Sequence, residues 1–153
     1  MKFGDLQRGE WLAMLGGLVM AVSLFIPKTY EAQPENPNAS INGLKGVLSI
    51  WQVHPLMRWV LLAAAEAPFI LAWIIIREHE LSWQRGEMTA VVAIAAAGLL
   101  FYAGIVDRPG DPSGAIELDW SWYTAIGGAL VMMIGAFMRT TETQKARKPP
   151  GVL

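Results

Sequence analysis

One residue stands out for chemistry, a carboxylic acid where none is expected. Glu66 lies in Ala63-Ala64-Ala65-Glu66-Ala67-Pro68-Phe69, near the middle of an apolar run from about Pro55 to Ile76. An ionised acid at the centre of a bilayer costs about 2.5–3.5 kcal/mol on insertion scales. Desolvation favours its neutral form unless a cation or several donors answer it. Pro68 follows two residues on. It removes one helical N–H and crowds the carbonyl of Ala64. A freed carbonyl beside a carboxyl group can bind a proton, a cation or a polar head group, a geometry used by the broken helices of transporters. Three uses are therefore open. Glu66 ties its helix to a neighbour through Tyr102, Thr89 or Tyr123, or it is a proton or ion site, or it meets a partner subunit or ligand. Arg58 is two turns away but about 80° round the helix, so a direct pair is not expected. It should snorkel to the interface.

Other chemistries lack their residues. The chain has no cysteine, which removes disulfides, thiolate metal sites and thiol redox relays. His54 and His79 are the two histidines. They flank the Glu66 run on opposite sides, which argues against a shared haem or metal and for two solvated interface residues. Asp107, Asp111, Glu117 and Asp119 cluster near Arg108. Oxygen ligands of this kind suit a divalent cation, although a charged, solvated loop is the commoner meaning. No phosphate loop, nucleophile elbow or serine–histidine–acid grouping occurs. No catalytic residue, metal site or cofactor is expected. Bound lipid is.

These residues must be placed by elements of a particular kind. The 153 residues are 54% hydrophobic and 16% charged, against about 25% charge in soluble domains. Mean hydropathy is +0.36. The net charge of −1 gives no basic surface for nucleic acid. A bilayer core about 30 Å thick needs roughly 20 apolar helical residues. Four windows qualify: 11–27, 55–76, 88–106 and 120–138. Each is bounded by charge, and helix is the form that satisfies its own backbone in lipid. Pro27-Lys28-Thr29-Tyr30 is a poor cleavage site, so the first window reads as an uncleaved span. The expected fold is all-α, four transmembrane helices in an antiparallel bundle.

Lys and Arg counts set orientation. One side holds Lys2, Arg8, Arg77, Arg85, Arg139, Lys145, Arg147 and Lys148; the other holds Lys28, Lys45, Arg58 and Arg108. Both termini are expected in the cytoplasm, in a bacterial inner membrane. Trp11, Trp51, Trp59, Trp83, Trp120 and Trp122 fall near the span ends, where an amphipathic indole forms an aromatic belt. Residues 28–54 form an external segment. Its start is broken by Pro34 and Pro37. Farther on, Leu44, Val47, Leu48 and Trp51 recur at helical spacing behind Ser40, a reasonable N-cap. A short amphipathic helix is expected there, on the membrane surface or on the bundle. Residues 139–153 read as a flexible cytoplasmic tail.

Lipid tails are as apolar as leucine, so spans associate through small residues and polar contacts. Gly17 with Ala21, Ala63 with Ala67, and Ala93 with Ala97 offer thin faces on three spans. Gly128 and Gly135 do so on the fourth. Bundle packing is the default use of such faces, and contact with another subunit is the alternative.

Three stretches carry a resemblance. They are Arg8-Gly9-Glu10-Trp11-Leu12 with Gly16-Gly17 running into Ser23-Leu24-Phe25-Ile26-Pro27, the stretch around Trp51, and Asp107-Arg108-Pro109-Gly110 followed by a span ending at Met138-Arg139. On these the chain resembles small four-span integral membrane proteins of actinobacteria, over most of its length. The resemblance implies the four-span fold and no activity, and Glu66 is not a shared feature of that group. The expectation is a non-catalytic membrane component, an accessory subunit of a larger complex or a homo-oligomer. The alternative is a small proton- or cation-linked transporter or channel using Glu66.

Overall fold

The long apolar runs are helices in the computed structural model, which describes residues 4, 6–77, 79, 84, 86–112 and 114–146 (141–146 by backbone alone). They are α1 (Arg8–Phe25), α3 (Met57–Ile76), α4 (Glu87–Phe101) and α5 (Trp120–Ala146). A single-turn helix, α2 (Ile50–Val53), precedes α3. Tyr102–Val106 extend α4 as a π-helical turn. Four helices are long and apolar enough to cross a bilayer. The chain is thus a multi-pass membrane protein built on a helix bundle.

Small residues recurring by fours and threes dictate how the helices meet. On α1 the buried positions include Gly9, Ala13, Gly16, Met20 and Ser23. On α5 they include Ser121, Ala125, Gly128, Met132, Gly135 and Arg139. These two seams face one another antiparallel, with Gly9 against Gly135, Gly16 against Gly128 and Ser23 against Ser121. The approach is backbone to backbone: a Cβ added at Gly128 would lie 2.7 Å from the Met20 nitrogen. Hydrogen bonds close one end of the seam, Ser121 Oγ donating to the Ser23 carbonyl at 2.9 Å and Ser23 Oγ lying 2.9 Å from Thr124 Oγ1. The same spacing governs α3, through buried Leu61, Ala65, Pro68, Ala72 and Ile75, and α4, through Thr89, Ala93, Ala96 and Leu100. α1 and α4 each contact both α3 and α5. The four helices therefore form a ring with α1 and α4 on one diagonal.

The chain is not all-α. β1 (Tyr30–Ala32) is the centre of a three-stranded antiparallel sheet, between β2 (Val47–Leu48) and β3 (Ile116–Leu118). No helix spans Leu44 to Trp51. Gly43 and Gly46 adopt φ of +78° and +87°, left-handed values that a helix cannot contain. Val47 and Leu48 are extended, and the helix that follows is one turn long. Its cap is Ser49, whose hydroxyl accepts from Gln52 N while Gln52 Oε1 accepts from Ser49 N. Ser40 caps nothing. It pairs through its backbone with Asp111, at 3.0 and 2.9 Å.

Helix α5 runs to Ala146, well past the expected start of a flexible tail at 139. The stretch from Thr140 to Ala146 contains neither glycine nor proline, so nothing local stops the helix. Residues 147–153 lie outside the described ones.

Candidate functional site

The helical repeat decides where Glu66 points. Residues two apart are about 200° apart round an α-helix. Pro68 is buried against α1, where its ring lines the surface that meets Gly17. Glu66 accordingly faces outward. It is exposed, halfway along α3, and it makes no hydrogen bond or ion pair with any described residue. Acid and proline are thus adjacent in sequence and opposed in space. Ala64 is buried on the inner side with Pro68, so its carbonyl and the Glu66 carboxyl group do not form one site.

None of the expected ties reaches Glu66. Thr89 is buried, lining a cavity at the far end of α4 with Glu10 and Arg139. Tyr102 is exposed beside the start of α3, and Tyr123 is exposed on α5. Arg58 donates to the Trp51 carbonyl at 3.0 Å and lies over the Trp51 and Trp59 rings, 4.9 and 5.7 Å from their centroids.

Glu66 instead belongs to an exposed stripe. Trp59, Ala63, Glu66, Ile70 and Trp73 are all exposed, at spacings of four, three, four and three. That is the heptad spacing of a helix–helix seam, here with one polar member at its centre. Glu66, Phe69, Ile70 and Trp73 line a shallow depression on this face. Ala63 is part of the stripe and does not pack within the bundle. The other thin-face residues divide differently. Gly17, Ala93, Gly128 and Gly135 are buried between helices, while Ala21, Ala67 and Ala97 are half-buried.

No family model matches the chain, and neither a curated protein nor a solved structure matches it.

The tryptophans are not one belt. Trp11, Trp59 and Trp120 are exposed at helix ends, and Trp51 is half-buried against Phe25 and Trp59. Trp122 is buried, so it is no interface anchor. Its indole presses on Gly104 and its Nε1 donates to the Leu100 carbonyl at 3.1 Å. A regular helix would offer that carbonyl to the Gly104 N–H, which accounts for the π-helical turn beginning at Tyr102. Trp83 lies outside the described residues.

Two polar groupings escaped the sequence reading. At the end of the bundle near the termini, Arg139 Nε lies 3.0 Å from Glu10 Oε1, with both side chains nearly inaccessible. Glu10 Oε2 also accepts from Gln7 N at 2.8 Å. Both residues sit at span edges, where charge ordinarily signals water. The signal for burial was the place of Arg139 in the α5 seam, four residues after Gly135, and of Glu10 beside Gly9 of the α1 seam. At the other end, fully buried Tyr30 places its hydroxyl 2.9 Å from His54 Nε2. Burial raises the Tyr30 pKa against a smaller opposing effect of Arg108. Burial also lowers the His54 pKa, partly offset by the Asp107 carboxylate. His54 is thus a held, partly buried residue, whereas His79 is exposed, its ring nitrogen Nδ1 lying 3.0 Å from the Arg77 carbonyl.

The acidic cluster disperses. Asp119 approaches Lys28 at 3.7 Å, Glu117 accepts from Gln33, and Asp111 pairs with Ser40. Arg108 donates to the carbonyls of Gly104 and Ile116. Among the described residues no three acids or histidines are grouped to hold a metal ion.

Proposed function

We propose that this chain is a non-catalytic component of a bacterial cytoplasmic membrane that joins other membrane subunits, or copies of itself, through the α3 face centred on Glu66. The observation that carries this reading is a carboxyl group at mid-span, facing away from its own bundle and without a partner among the described residues. Left in lipid, such a group costs about 2.5–3.5 kcal/mol when ionised. A partner helix that supplies a donor or a cation removes that cost and gains specificity in register. The charge distribution of the loops supports cytoplasmic termini, with eight Lys and Arg on the termini side against four on the other.

Native mass spectrometry of protein extracted gently from its own membrane is the test. The wild type is expected above the mass of one chain. Glu66→Leu removes the polar contact and should release the single chain. Glu66→Gln still donates and accepts, and should retain part of the assembly. A wild type that runs as one chain, or a Glu66→Leu variant that assembles normally, overturns the reading.

A proton or cation route through Glu66 belongs to the same face. Because the group points away from the four-helix interior, any such path runs along the boundary with the partner. Flux into liposomes by the assembled protein, lost in Glu66→Gln, is the result that would favour transport over a purely structural contact.

A further inference from the structure

At the sheet end of the bundle α3 and α4 part to leave a groove of about 380 Å³, within the range of small-molecule sites. The π-helical turn forms its α4 side, and such turns recur at functional sites. Its walls include Met57, Val60 and Leu99. Three polar groups stand among these apolar side chains: the His54 imidazole, the Tyr102 hydroxyl and the Asp107 carboxylate.

The state of each group is set by its neighbours. Tyr30 holds His54 at Nε2, and no described residue bonds Nδ1. Asp107 is exposed and its carboxylate has no hydrogen bond or ion pair with a described residue. The adjacent Arg108 makes no ion pair with it and donates through Nε and one Nη to the Gly104 and Ile116 carbonyls at 2.9 and 3.0 Å. The groove therefore offers an apolar trough running into the membrane-spanning segments, with a carboxylate at its rim that no described residue bonds. An anionic head group is repelled there, and an ammonium group is attracted.

We propose that this groove binds an aminophospholipid, its ammonium on the Asp107 carboxylate and one acyl chain along Met57, Val60 and Leu99. The imidazole and phenol donate to the phosphate or ester oxygens. This site is independent of the Glu66 face. Val60 is about 240° round α3 from Glu66, so either assignment can fail alone.

The protein is reconstituted in nanodiscs of equal parts phosphatidylethanolamine and phosphatidylglycerol, then released for native mass spectrometry. Phosphatidylethanolamine adducts are expected to exceed phosphatidylglycerol adducts about tenfold, the effect of one charge-assisted contact. Asp107→Asn should bring the ratio near one. Val60→Trp fills the groove from an exposed position and should remove the adduct. Equal retention of the two lipids by the wild type overturns the proposal. So does a preference that survives Asp107→Asn, or an adduct that survives Val60→Trp.

Discussion

Glu10 and Glu66 are both acids on membrane-spanning helices, and their surroundings give them opposite roles. Glu10 is buried against Arg139, so the pair holds α1 to α5 at one end. Removing one member of a buried ion pair typically costs about 3–5 kcal/mol, whereas replacing both with apolar residues is often neutral. Glu10→Gln should therefore lower stability by about that amount in a detergent unfolding titration. The double variant Glu10→Leu, Arg139→Met should lose less than either single change. Gly128 makes a separate prediction. A methyl group there would press on the Met20 backbone, so Gly128→Ala should cost about 1–3 kcal/mol by overpacking, seen in the same titration. The misfit of an acid at mid-span was plain in the sequence, but the direction of Glu66 needed the helix and its neighbours. A step of two residues from buried Pro68 contains that direction. The pairing of Glu10 with Arg139 was harder to read, because it needs the register between the first and last helices.

At the scale of elements, hydropathy was a sufficient guide to the long helices. It was a poor guide to the segment between α1 and α3. Leu44, Val47, Leu48 and Trp51 have helical spacing, but Gly46 lies inside the run and turns the backbone left-handed. The glycine was legible; the pairing of β1 with β3 was not, since the two strands are more than eighty residues apart in sequence. The Tyr30–His54 contact ties this sheet to the start of α3, and the burial of His54 there carries a pH dependence. A lowered histidine pKa means that the unfolded segment binds more protons than the folded one. Stability is then full above the ordinary value of 6.5 and falls as pH drops from there toward the lowered value. Thermal unfolding between pH 7.5 and 5 should show that loss in the wild type. His54→Gln should flatten it. The π-helical turn makes a parallel case: Trp122→Phe deletes the bond to the Leu100 carbonyl and should cost about 0.5–1.5 kcal/mol.

At the scale of the molecule, the sheet lies at one end of the bundle and the start of α1 and the end of α5 at the other, so one accessible residue at each end reports the orientation. The absence of native cysteine makes this direct. Asn38→Cys should react with a membrane-impermeant maleimide on intact cells. Arg8→Cys, exposed at the start of α1, should react only after permeabilisation. The reverse pattern would invert the proposed orientation while leaving the bundle untouched.

The pairing of α1 with α5 has a consequence for how the protein is made. Helix α1 leaves the ribosome before α3 and α4, yet its glycine face is covered by α5, which is made after them. Until α5 is synthesised, the narrow surface at Gly9 and Gly16 has no mate, and the β1–β2 hairpin lacks its third strand. The nascent chain therefore stays unclosed until α5 is made. Both the sheet and the α1–α5 seam are completed only when β3 and α5 have been made. A chain stopped before Trp120 would present an open glycine track to the lipid, a clear mark by which a membrane protease could tell unfinished protein from finished.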